Sequence, residues 1–346
     1  MSGLTQRLSA LNRRRWINFR ANSRGYWSLV IVSILFVLTL FAEFIANDRP
    51  LLVSFKGNLY VPVVRDYPET AFGGVFETPT DYTDPYLRDL ITAEGWIVEP
   101  LIPYDYRTID FDLGQPAPAP PSARHWLGTD NQGRDVLARL IYGFRLSMLF
   151  AIALTLVSTI IGIAAGAVQG YFGGWLDLTF QRFIEIWSGL PQLFILIIVS
   201  SIVIPGFWTL LLVLLLFSWT ALVPVVRAEF LRARNLDYVR AAKALGMNDV
   251  AVMAKHILPN AVVATVTFLP FIISGAVVAL TSLDFLGLGM PPGSASLGEL
   301  LRQGKENLQA PWLGLTGFFV IAGMLTLLIF VGEAVRDALD PRKTFS

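Results

Sequence analysis

Residues 235–260 read NLDYVRAAKALGMNDVAVMAKHILPN, and the way this stretch breaks decides what kind of molecule the chain is. It parses into two short helices. Asp237 stands where a carboxylate can cap the first, and Gly246 is expected to end it, because the left-handed backbone of a helix C-terminus is free of steric penalty only for glycine. Asn248 or Asp249 opens the second, and Pro259, which has no amide proton, is expected to terminate it. Ala241, Ala242 and Ala244 give the first helix a small-residue surface on which a partner can seat closely. Taken alone, the segment is a helical hairpin on a membrane surface, for which simple interfacial packing is an equally good reading.

Outward from this hairpin the chain is strongly apolar. Its 346 residues are 54% hydrophobic and only 15% charged, with a mean hydropathy of +0.57, so the bilayer must serve as much of its solvent. A helical span needs about 20 apolar residues to cross the hydrocarbon core. Six segments qualify: 27–46, 146–168, 183–204, 207–226, 261–283 and 312–331. The third and fourth, separated by Pro205 and Gly206, are expected to form a tight antiparallel pair. The first follows Arg7, Arg13, Arg14, Arg15, Arg20 and Arg24, which invites a signal-peptide reading. Its full spanning length and the poor cleavage site around Glu43, Asn47 and Asp48 favour a retained helix instead. The expectation is an all-α integral membrane protein with about six transmembrane helices.

Lysine and arginine beside the spans set the orientation. The arginine-rich segment 1–26 should be cytoplasmic, as a basic amphipathic stretch on the lipid surface. The tail 336–346, with Arg336, Arg342 and Lys343, returns to that side after six spans. So does the loop 227–260, with Arg227, Arg232, Arg234, Arg240, Lys243 and Lys255. In residues 47–124, by contrast, acidic side chains outnumber basic ones two to one. Segment 47–145 is therefore read as an irregular extracytoplasmic insertion and the lead-in to the second span. Its proline tract, 115–121, is read as an extended linker. The acidity suits a solvated surface, with substrate or partner contact as the sharper alternative. Segment 146–335 is the five-span core.

Transporters driven by ions keep ionisable groups at mid-membrane. Within these spans only Glu43 and Glu185 are charged, both near an end. No GxxxxGK[ST] phosphate loop exists; the nearest imitation, Gly298 to Lys305, has the wrong spacing and Glu306 in place of a hydroxyl. Active transport would therefore require ATP hydrolysis on another chain. Cysteine is absent and the histidines are His125 and His256 alone, so no metal site is expected. The basic segment is too narrow for nucleic acid.

The order AA-x3-G-x11-LP, at Ala241, Ala242, Gly246, Leu258 and Pro259, resembles the EAA loop of permease subunits in bacterial ABC importers. The resemblance continues through residues 22–46, through HWLGTDNQGRDVLARLIYGFRLS (125–147), SLDFLGLGMPP (282–292) and RDALDPR (336–342), all similar to the oligopeptide and dipeptide branch. The large insertion is most similar to the microcin C subtype of that branch. What the resemblance implies is a type I permease fold in the bacterial inner membrane, passing peptides or peptide-linked compounds such as microcin C. It also implies four kinds of partner: a second homologous permease, two ATP-binding subunits or one fused ATPase, a periplasmic binding protein, and membrane lipid. ATP and Mg would be held by the partners, with no cofactor in this chain. The implied ATPase-coupling residues are Asp237, Arg240, Ala241, Ala242, Gly246, His256, Leu258 and Pro259. Arg240 replaces the family's glutamate and His256 its isoleucine, so no salt bridge carries over from that glutamate.

Two further features have bland readings beside sharper ones. Gly162, Gly166, Gly170 and Gly174 fall on one helical face, suiting close helix packing within the chain or lateral contact with a second subunit. Asp130, Gly133, Arg134 and Asp135 suggest a capped helix start, with Asp130 as the cap, rather than a carboxylate pair or cation site. The turn 287–293, GLGMPPG, is read as an outer loop near the entrance. A stand-alone channel or secondary transporter is the rival function. A membrane enzyme is a third option, but no nucleophile, base and orienting group occur at credible spacing.

Overall fold

The computed structural model describes residues 10–340. Arg7 and the end of the tail lie outside the described residues. Helix α1 (Ala10–Ala21) is separated from α2 (Ser23–Leu40) by Asn22, whose side chain accepts from the amide of Gly25. The first span is continued by the short α3 (Ala42–Ile45).

The insertion is not irregular. Strands β1 (Leu52–Phe55) and β2 (Asn58–Tyr60), helix α4 (Pro85–Glu94) and strand β3 (Gly95–Val98) fold together, and the antiparallel sheet has the order β2-β1-β3. Alternate residues Val53 and Phe55 point inward onto Phe72, Tyr82 and Ile91. Phe72 is wholly buried among the rings of Phe55, Tyr60, Tyr67 and Tyr82. Aromatic pairs of this kind contribute about 0.5–1.5 kcal/mol each beyond area burial, which is how so short a sheet holds its shape. The proline tract is pinned rather than free, since Ala119 and Thr129 exchange hydrogen bonds of 2.8 Å.

The second span is much longer than hydropathy alone indicated. Helix α5 (Val136–Phe172) has 37 residues and extends about 55 Å, joining the insertion at its start to the hairpin at its end. The helix thus begins at Val136, ahead of the expected span start at residue 146, because its first turns are buried by protein instead of lipid. The third expected span is broken. Helices α6 (Gly174–Ser188) and α7 (Gln192–Ile202) meet at 67° across Gly189, Leu190 and Pro191, a combination that ends one helix and starts the next. Helix α8 (Phe207–Ser218) passes through a 3₁₀ turn into α9 (Val223–Ala233). It lies mainly along α5, not against α7; its tie to the broken span is Trp187, which donates to the carbonyl of Leu216 at 2.6 Å and stacks on Phe217.

The hairpin helices are α10 (Asp237–Ala244) and α11 (Asp249–Val252), followed by α12 (Leu258–Val266). The fifth expected span is α12 together with α13 (Leu269–Phe285), divided at Thr267 and Phe268 ahead of Pro270. Helix α14 (Leu297–Glu306) packs on α15 (Pro311–Leu339). Among the described residues, five helices are long and apolar enough to cross a membrane, or six with the bent pair counted once.

Candidate coupling site

The hairpin is rooted through α9. Along α5, Gly162 faces Trp219 and Leu222, Gly166 faces Val223 and Val226, and Gly170 faces Arg227 and Phe230. A methyl group at Gly170 would sit 2.5 Å from the Arg227 carbonyl and 2.6 Å from Phe230 Cβ. These three glycines therefore line contact within the chain, as the packing reading expected. Gly174 departs from the row: its φ of +57° opens α6 and its surroundings are open.

Polar clamps fix the same junction. Arg227 donates to both oxygens of Asp177 at 2.5 and 2.6 Å, a bidentate fit that only a guanidinium provides. Arg234 donates to the carbonyls of Gly170 and Tyr171, satisfying acceptors left over at the end of α5. Beneath the hairpin, Val226, Phe230, Val239, Ala242, Val252 and Ile257 form a closed apolar cluster with Ala167 and Tyr171.

Helix α10 ends as its sequence demands. Gly246 has φ +86°, its amide donates to the Lys243 carbonyl at 2.9 Å, and the Met247 amide donates to Ala242 at 3.2 Å, the paired bonds of a Schellman motif. Asn248 then caps α11 by accepting from the Ala251 amide at 2.7 Å. Lys243 and Asp249 pair across the turn at 3.2 Å, while the Tyr171 hydroxyl donates to Asp249 at 2.5 Å. Tyr171 first, and Asp249 second, hold the Lys243 amine above its ordinary pKa.

Three expectations for this segment need correction. Asp237 does not cap α10; Leu236 occupies the cap position without a side-chain bond, and Asp237 contributes only its charge to the first turn. Ala242 is buried, so the small-residue face is formed by Ala241 and Ala244 alone, both exposed. Pro259 does not terminate the second helix. Residues Met253–Ile257 form a π turn immediately before it, and the wider turn clears the carbonyl with which the proline ring would otherwise clash, letting the chain continue into α12.

The outward face is a ridge and a groove. Leu245 is 89% exposed at the crest. Beside it Tyr238, Ala241, Ala242, Leu245, Gly246, Met247 and His256 line an open groove of about 480 Å³. Arg240 is exposed on α10, and Leu258 and Pro259 lie at the root of α12. The arrangement brings Ala241, Gly246 and His256 to one groove with the buried Ala242 at its floor, whereas Arg240 is exposed outside that lining.

The opposite end of α5 carries a buried ionic network. Asp135, not Asp130, is the cap, accepting from the Ala138 amide at 2.8 Å. Asp130 is fully buried and instead accepts from Arg134 Nε at 2.7 Å and from the Gln132 and Arg134 amides. Arg139, also fully buried, donates to Glu299 at 2.8 Å and to the Ser294 carbonyl at 2.9 Å. Gln303 completes the link to Glu299 and to the Asn131 amide. In the 287–293 turn, Asp284 accepts from the Met290 amide at 2.7 Å and the Ser296 hydroxyl at 2.5 Å. Sequence reading passed over Arg139, Asp284, Glu299 and Gln303, whose partners lie far along the chain or on another element.

Residues 158–345 match the family described as "Binding-protein-dependent transport system inner membrane component". The chain is similar to the peptidoglycan transport system permease protein YejE of Agrobacterium fabrum, with 57% identity covering 97% of this chain and 94% of that protein. It is 56% identical to the inner membrane ABC transporter permease protein YejE of Escherichia coli, covering 97% and 99% of the two chains. The oligopeptide transport system permease protein OppC of Mycobacterium tuberculosis is 32% identical over 73% of this chain and 87% of its own length.

Proposed function

The chain belongs to the binding-protein-dependent transport system inner membrane components and is an ABC transporter permease subunit; from that premise we propose that it helps form the inner-membrane path for peptides and peptide-linked compounds. The relatives' names speak of oligopeptides and of peptidoglycan, and the feature these share is a peptide chain. Microcin C, to which the sequence resemblance points, has the same feature. Spans poor in charge suit a path whose contacts are to peptide backbone rather than to one side chain. Nothing favours a stand-alone channel or secondary transporter.

The driving force in this reading is ATP hydrolysis on separate subunits, two chains or one fused chain, which hold the nucleotide and Mg. A second permease completes the path, and an extracytoplasmic binding protein delivers substrate. The hairpin is the mechanical input. The observation that carries this is the contrast between its faces: an exposed crest at Leu245 and Gly246 above a root locked to α5 by the glycine contacts and to α6 by Arg227 on Asp177. A push on such a crest moves α9 against α5 as a unit, and the spans re-pack to open one side and close the other.

Gly246→Val tests the reading, because a side chain in left-handed backbone costs roughly 1–2 kcal/mol and more when branched at Cβ. The variant should insert and assemble, yet substrate uptake per ATP hydrolysed should fall severalfold in proteoliposomes. Unchanged uptake per ATP would count against the hairpin as the coupling element.

A further inference from the structure

Tyr171 lies in the last turn of α5, where it meets α9, α10 and α11 in turn. Its backbone carbonyl accepts from Arg234, the residue that follows α9, at 3.2 Å. Its ring lies 4.6 Å from the Lys243 amine of α10. Its hydroxyl donates to Asp249, the first residue of α11, at 2.5 Å. Lys243 and Asp249 complete the trio by pairing with each other at 3.2 Å. These two flank the turn at Gly246, so the hydroxyl ties that turn to α5 from beneath.

Placement separates Tyr171 from a docking contact. It is buried in the apolar cluster beneath the hairpin, whereas the side chains of Lys243 and Asp249 are each 49% exposed. A partner seated on the crest would meet those two and leave Tyr171 below them. Apolar packing alone is non-directional and would let the turn slide on α5. A short bond from a hydroxyl to a carboxylate is directional and among the stronger protein hydrogen bonds, so a displaced turn carries the end of α5 with it. Two residues on, the backbone passes through Gly173 and Gly174, with φ of +65° and +57°, into α6, the first half of the broken span. We propose that Tyr171 is a positioning residue for coupling: its hydroxyl holds the Lys243–Asp249 pair on the end of α5, so that movement of the crest reaches the broken span directly as well as through α9. The inference rests on the hairpin being the mechanical input.

Tyr171→Phe keeps the buried ring and removes only the hydroxyl. In the assembled transporter in proteoliposomes, uptake per ATP hydrolysed should fall severalfold while Tm stays near the wild-type value, because the half-exposed Asp249 regains water. A merely structural tie would lower Tm, uptake and hydrolysis together and leave uptake per ATP unchanged, and that result overturns the proposal. Asp249→Ala removes the acceptor instead, and it carries the test if the phenylalanine variant fails to assemble. Uptake per ATP should then fall at least as far, and a wild-type ratio overturns the proposal. The double variant should be no worse than Asp249→Ala alone, since both changes break one bond; losses that multiply overturn it. Gly246→Val separates the two levels of the reading. If it uncouples the transporter and Tyr171→Phe does not, Tyr171 is not the link and the hairpin reading stands. If neither variant changes the ratio, both fall.

Discussion

Two residues bear most directly on how the molecule holds together. At Gly170 the α5–α9 contact leaves no room for a methyl group, so Gly170→Ala should destabilise the purified transporter by about 1–3 kcal/mol, the cost of overpacking a tight site. A lower Tm with unaltered expression is the expected result, and an unchanged Tm would mean the two helices separate easily. His125 is the second. It sits between Asp135 at 2.8 Å and Asp110 at 3.1 Å, with Tyr104 against its ring and Arg124 on Asp110 at 3.2 Å. Burial works against its charge, but the hydrogen bonds it donates to Asp135 and Asp110 outweigh it, and the imidazole pKa is raised. Asp110 moves the opposite way: burial raises it, and the Asp112 amide and His125 more than reverse that. A raised histidine stabilises the fold fully below its ordinary value of 6.5 and loses that contribution as pH rises through the higher folded-state value. The Tm advantage of wild type over His125→Gln should therefore be largest near pH 6 and shrink toward alkaline pH. A gap that stays constant over that range would refute the assignment.

Helices and turns differ in how much of them the sequence discloses. The Schellman turn at Gly246 and the glycine row on α5 were legible because each rests on one residue type with one physical reason. The longer α5 was not, since hydropathy reports lipid contact and the first turns of this helix are covered by protein. Pro259 misled for a related reason: its effect depends on whether the preceding turn can widen, and Met253–Ile257 does. Asp130 offered itself as a cap by position, but the turn at Gly133, with φ +81°, hands that role to Asp135. Glu299 was invisible, being 165 residues from Arg134. Its contribution can now be tested. Removing one partner from a buried ion pair costs about 3–5 kcal/mol, because the remaining charge loses its counterpart. Glu299→Ala leaves Arg134 and Arg139 with one carboxylate, Asp130, to share between them, so membrane levels and Tm of the complex should both fall sharply. Retention of wild-type Tm would mean that Asp130 alone balances the two arginines.

At the scale of the whole molecule, α5 sets the polarity of the transporter. One end is gripped by the insertion and the ionic network, the other by α9 and the hairpin, so the two functional surfaces sit about 55 Å apart along a single helix. The distribution of charge gives that axis a direction in the membrane. Arginines crowd the hairpin end, at α1, α9, α10 and the close of α15, whereas the insertion is acidic. Positive charge is retained on the cytoplasmic side during insertion, so the topology we propose has the hairpin in the cytoplasm and the sheet outside. Because the chain contains no cysteine, single exposed positions report this without background. Val75 and Leu245 are 78% and 89% exposed. In intact spheroplasts, a membrane-impermeant maleimide should label Val75→Cys, and should label Leu245→Cys only after the membrane is permeabilised. Labelling of Leu245→Cys in intact spheroplasts would invert the topology and leave the hairpin on the side that has no ATP.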